Sequence, residues 1–217
     1  VAINTYATLV SAATEWLARD QDATLIARIP DFITLCEAKL NRALFMPRME
    51  TRSTTTCDTS DDEPEFISLP SDFQTMRSIR ISSETGKPAL RFASKTQLDE
   101  LRFGNDNVTD QPTHYTIMGS EIELWPTPNE NYTIEMVYRA NLSALTSSNT
   151  TNWLLTLAPD LYLYGVLLES APYIKEDGRI QTWSLGYLNA LDALNNLGFR
   201  QGFDAGPSDI TLPGNTP

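Results

Sequence analysis

The segment from Pro159 to Ser170 constrains this chain more than any other. Pro159 suits the first turn of a helix, where a missing N–H costs nothing. The residues after it are apolar nearly all round: Leu161, Leu163, Val166, Leu167 and Leu168. A helix with no polar face cannot lie on a surface and has to be enclosed. The run is well short of the ~20 apolar residues of a membrane span, and Tyr162, Tyr164 and Gly165 interrupt it. The spacing therefore predicts the central helix of a water-soluble core, which must draw its partners from elsewhere in the chain.

Suitable partners stand at both ends. Asn4 or Thr5 can cap a helix with Tyr6, Leu9, Val10, Ala13, Trp16 and Leu17 on one face. Asp20 to Asp22 form a loop and begin the next helix, where Leu25, Ile26 and Ile29 lead to Pro30; proline disfavours helix at the residue before it, so a break or kink is expected there. Pro30 then opens a new helix with Asp31 at its positive end and a stripe of Phe32, Ile33, Cys36, Leu40, Ala43 and Leu44, ended by Pro47. Beyond the central helix, which Pro172 weakens or ends, Asp177 can cap a last helix. Its stripe is Ile180, Trp183, Tyr187, Leu191, Leu194 and Leu197, and Gly198 is expected to stop it.

The middle of the chain has another rhythm. Thr, Ser, Asp and Pro dominate from Thr51 to Pro64, and β-branched alternation follows. Phe66, Ile67 and Leu69 make a short strand that Pro70 stops, and Met76, Ile79 and Ile81 alternate with Arg77 and Arg80 in another. Glu84 to Lys87 form a turn, and Leu90 and Phe92 a further short strand. Ser94 and Gln97 fit a capping box that opens a short helix, with Leu98, Leu101 and Phe103 on its face. Tyr115 and Ile117, the turn Gly119-Ser120, then Ile122, Leu124 and Trp125 read as a hairpin. Tyr132 to Tyr138 is expected to add a third strand and complete a meander. The economical assembly is an α+β fold: a helical bundle built from both ends of the chain (1–50 and 151–201), an inserted small antiparallel β subdomain with one short helix (51–150), and an extended C-terminal arm (202–217).

Composition limits the chemistry. The 217 residues carry a net charge of −12 and a pI near 4.4, which argues against a general binder of nucleic acid or anionic membrane. There are one His and two Cys, so most catalytic and zinc schemes lack parts. Cys36 and Cys57 are unpatterned and read as reduced thiols of an intracellular protein. Asp58, Asp61, Asp62, Glu63 and Glu65 lack the Gly and terminal Glu of an EF-hand and read as a solvated loop. His114 has no nucleophile motif beside it. Trp16, Trp125, Trp153 and Trp183 are dispersed and read as core anchors. No cofactor, metal or catalytic residue is expected. Arg42, Arg48 and Arg52, at and just after a helix end, either complement the negative helix terminus or form a basic surface for an acidic neighbour.

Several runs, taken in order, resemble the head-to-tail adaptor (connector) proteins of tailed bacteriophages: IELWPTP at 122–128, YTIEMVY at 132–138, NWLL at 152–155 and PDLYLYG at 159–165. Leu168-Glu169, Ala171 to Tyr173, Lys175 to Asp177, Trp183 and Tyr187 continue the match, and Ile29-Pro30, Glu37-Ala38, Leu40 to Arg42 and Leu69 to Phe73 precede it. Gly178 departs from it, standing where a more helix-favouring residue is usual. The resemblance implies a structural virion protein and not an enzyme. It implies a homo-oligomeric ring, commonly dodecameric, between the portal protein and a tail or nozzle protein. DNA would pass through the channel without specific binding, and no membrane is involved. An acidic channel would repel phosphates and let the duplex slide. The arm, with Ile210 and Leu212 as its apolar anchors, would then dock on a neighbour. The alternatives are another tail-completion or minor head protein, or a muramidase-like hydrolase using Glu121, Glu123, Glu135 or Glu169.

Overall fold

The computed structural model describes residues 2–82, 89–105, 108–175 and 178–203. It is a mixed α+β fold. The helices are α1 (Tyr6–Trp16), α2 (Ala23–Ile26), α3 (Ile29–Ala43), α4 (Lys95–Arg102), α5 (Trp153–Leu157), α6 (Pro159–Ile174) and α7 (Ile180–Phe203), with a 3-10 turn at Pro47–Met49. The strands are β1 (Glu50–Cys57), β2 (Phe66–Ser68), β3 (Phe73–Ile81), β4 (Arg91–Phe92), β5 (His114–Met118), β6 (Glu121–Trp125) and β7 (Tyr132–Ala140). The chain divides into two compact units, one from residues up to Met49 and from Leu142 onward, the other from Glu50 to Asn141.

In the helical unit, α6 is the enclosed element. Leu161, Tyr162, Val166 and Leu167 are fully buried, in one core with Leu9 and Ala13 of α1, Ile33 and Leu40 of α3, and Trp183, Leu191 and Leu194 of α7. Thr5 caps α1 through a capping box with Thr8, and Pro30 sits in the first turn of α3. Gly165 lets α3 approach, since a Cβ there would overlap Cys36 Sγ. Several boundaries differ from the sequence expectation. α3 ends at Ala43, before Pro47. α6 passes Pro172 and closes at Lys175, which has a left-handed backbone (φ 56°) and donates its N–H to the Ala171 carbonyl. Asn152 caps α5, a short helix that the loop composition around it conceals. Gly198 does not stop α7, which runs on to Phe203. Glycine is needed there for space, because a Cβ would overlap the Phe45 carbonyl oxygen. Trp16 is not a core anchor. It is 49% exposed, edge-on to Tyr164.

The β unit holds two sheets around one core, ordered β1–β7–β3 and β2–β6–β5–β4. β5 and β6 form the expected hairpin, with Gly119 in the turn at φ 60°. β7 does not extend it into a meander. Pro126 and Pro128 offer no N–H to a ladder, β2 takes the free edge of β6, and the nine-residue β7 pairs along its length with β1 and β3. β1 was hidden by composition. Its β-branched threonines suit a strand, but both faces are polar, so no hydrophobic alternation marks it. β4 is parallel to β5, an exception in an otherwise antiparallel pattern. On α4 only Leu98 of the predicted face is buried, while Leu101 is 40% and Phe103 87% exposed. Lys95 and Arg102 share the inward stripe of Leu98, one turn to either side, because both reach the buried Glu123. Asp177 and the Glu84–Lys87 turn lie outside the described residues. Among the described residues no helix is long and apolar enough to cross a membrane.

Candidate partner-binding site

The polar residues of the β unit are organised by two buried carboxylates. Glu135, at the middle of β7 and 4% exposed, lies between an arginine from each neighbouring strand. Arg52 Nε donates to its Oε2 and Arg80 Nε to its Oε1, both at 2.7 Å. These two guanidinium groups, Arg52 first, hold its carboxyl below the usual glutamate range. Glu123 on β6 is fully buried and accepts both oxygens' worth of contact from Lys95 Nζ, at 2.8 and 3.0 Å, with Arg102 at 2.8 Å. Arg102 also lies over the Trp125 ring, 5.4 Å from its centroid.

In the helical unit Glu37 is 6% exposed and anchors a hydrogen-bonded hub. Its Oε1 accepts the Leu145 N–H at 2.9 Å and the Tyr162 hydroxyl at 3.1 Å. Asn152 donates to the Tyr162 oxygen at 2.7 Å and to the Ser143 carbonyl at 2.9 Å. Burial pushes the Glu37 carboxyl up, and these donors oppose the shift. The hub ties residues 142–152 to α3 and α6. Every contact in it is between the protein's own groups.

The four glutamates weighed for a hydrolase sit in ion pairs or in solvent. A general acid needs a carboxyl raised towards neutrality, yet Glu135 is lowered, Glu123 is ion-paired to two cations, and Glu169 is paired with Lys39 at 2.5 Å. Glu121 lies exposed at the hairpin turn. His114 shares a hydrogen bond with the Thr113 hydroxyl at 2.9 Å and borders a cleft of about 320 Å³ whose other described titratable lining residue is Arg91. Among the described residues no cluster of three His, Cys, Asp or Glu is placed to hold a metal.

Of the residues expected to bind partners, Arg42 is exposed in the last turn of α3, suited to complement its negative end. Arg48 lies over the Trp153 ring, 5.6 Å from its centroid. Arg52 belongs to the other compact unit, on β1, bound to Glu135. Three arginines close in sequence thus take three different roles. Ile210 and Leu212 lie outside the described residues. Sequence reading missed Arg77, Arg80 and Glu135 as a group, because only strand register brings β1, β7 and β3 together. Plain alternation would set Arg77 and Arg80 on opposite faces, and the irregularity between Met76 and Ser78 that unites them has no sign in the sequence.

Comparison with curated proteins finds no match. The family model described as SU10 adaptor protein matches residues 4–211, and so spans both compact units. The chain belongs to the SU10 adaptor protein family, structural proteins of the bacteriophage head–tail junction.

Proposed function

We propose that copies of this chain close into a ring, a dodecamer as in the proteins it resembles, that joins the portal protein to a tail or nozzle protein. Genomic DNA passes through the ring without specific binding. The observation that carries this reading is the family match over residues 4–211. The net charge of −12 supports it, because an acidic channel wall repels phosphates and leaves the duplex free to slide.

In this reading the helices from both ends of the chain form one bundle, the body of each subunit. The C-terminal segment is the arm that docks on a neighbour or on the portal through Ile210 and Leu212. Arg42 and Arg48 offer cations to partners from the helical unit, and Arg52 from the sheet. The protein acts as a joint and not as a catalyst. Electron microscopy of the purified protein, alone and mixed with portal, tests this. Closed rings seen down their axis, or rings seated on portal, are the expected result. Dispersed monomers under both conditions would sink the reading.

A further inference from the structure

One face of the β1–β7–β3 sheet gathers positive charge in a strongly acidic protein. Ile134, Met136 and Tyr138 of β7 turn into the core. Side chains alternate along a strand, so Thr133, Glu135, Val137 and Arg139 take the opposite face. Register sets Arg52 beside Val137, Arg80 beside Glu135 and Glu50 beside Arg139. The irregularity between Met76 and Ser78 brings Arg77 to the same face, where its Nε lies 3.2 Å from Glu50. Four of the chain's sixteen cations therefore share this face with two carboxylates. The side chains of Arg52, Arg77 and Arg80 are 64%, 72% and 58% exposed.

The arginines are also held in place. Arg52 and Arg80 each spend Nε and one terminal nitrogen on Glu135. A guanidinium has five N–H donors, so each keeps donors on its exposed side. Fixing the two forks on one buried carboxylate removes rotamer freedom before any partner arrives, which lowers the cost of binding.

The chain carries a matching anion. The Asp58–Glu65 loop has five carboxylates in eight positions. Asp58 Oδ1 accepts the Ser60 N–H and hydroxyl at 2.9 and 2.7 Å, and Asn131 Oδ1 accepts the Thr59 N–H and hydroxyl at 2.9 and 2.8 Å. The loop is thus pinned while Asp61, Asp62 and Glu63 are exposed. Among the described residues no ion pair reaches those three. Two copies of net charge −12 repel each other unless unlike patches meet at their contact. Arginine face and acidic loop are different patches on one subunit, which is the requirement of a head-to-tail contact that closes into a ring.

We infer that the arginine face of one copy receives the Asp58–Glu65 loop of the next. This rests on the reading that copies of the chain associate. The test uses full-length protein and three variants, Arg77→Glu, Asp61→Lys/Asp62→Lys and the combination of all three, none of which touches the buried Glu135. Self-association is measured by native mass and sedimentation, with thermal midpoints confirming that each variant folds. Each charge reversal alone should weaken association about tenfold or more, and the combination should bring it back to within a few-fold of wild type. Variants that assemble as well as wild type would overturn the inference while leaving the ring intact. So would a combined variant as dissociated as its parents. A wild type that never associates would overturn both this contact and the ring. Duplex DNA retained by wild type and lost in Arg77→Glu, with self-association unchanged, would give the face to nucleic acid and also overturn the inference.

Discussion

Single side chains decide how closely the backbones pack in the helical unit. At Gly198 alanine would gain helix propensity of about 1 kcal/mol, but its Cβ would overlap the Phe45 carbonyl, a backbone atom that cannot swing aside. Gly198→Ala should therefore be destabilised by about 1–3 kcal/mol in urea unfolding, against the gain expected for an exposed helix. Glu37 gives a pH signature. Its carboxyl is raised by burial, so between the ordinary glutamate value and the raised one the folded state holds a proton that the unfolded chain has released. Stability then falls as pH rises from the ordinary glutamate value through the raised one. Glu37→Gln keeps an acceptor for Leu145 and Tyr162 and removes the charge. It should match or exceed wild type in urea unfolding at neutral pH, with the difference closing below the ordinary glutamate value. Glu135 works in the opposite sense. Its carboxyl is lowered by Arg52 and Arg80, so its contribution is present above the ordinary value and lost as pH falls through the lowered one.

At the scale of elements, α6 and β7 each serve as the centre of their unit. α6 buries Leu161 to Leu163, Gly165 to Leu167, Ser170 and Ala171 and meets α1, α3, α5 and α7. Leu167 is fully buried at its middle, so Leu167→Ala should cost about 2–5 kcal/mol in denaturant unfolding; a loss under about 0.5 kcal/mol would contradict that placement. β7 is paired on both edges and presents its apolar residues to the core on one side and Glu135 on the other. The short elements depend on their caps. Asn152 accepts the Leu155 N–H at 2.8 Å to start α5, and Ser94 with Gln97 forms the box that starts α4.

At the scale of the molecule, residues 204–217 carry only Ile210 and Leu212 as sizeable apolar side chains, too few for a core of their own. α7 takes Gly202 and Phe203 from the segment first read as the arm, so the cut that tests it falls after Phe203. Deletion of 204–217 should leave the thermal midpoint unchanged while portal attachment or ring closure is lost. In the proposed assembly a single arm would bind weakly, and a ring would present many at once. Attachment as strong as that of the full chain would remove the arm from the proposed mechanism.

The helices other than α5 were legible because burial on one face writes a 3.6-residue period into a sequence, and Pro30, Pro159, Thr5 and Ser94 mark starts through local backbone chemistry alone. The hairpin at Gly119 was legible for the same local reason. The adaptor family, too, could be read from the order and spacing of short runs. What tertiary structure decided was every pairing at long range. Whether Tyr132–Ala140 joins the hairpin or crosses to β1 and β3 depends on which edges are free, and β2 had already taken that of β6. Gly198 reads locally as a helix stop, yet the approach of the Phe45 backbone makes it a spacer inside α7. Arg52, grouped in sequence with Arg42 and Arg48, belongs with Arg80 and Glu135, because strand register and not chain distance sets which charges meet.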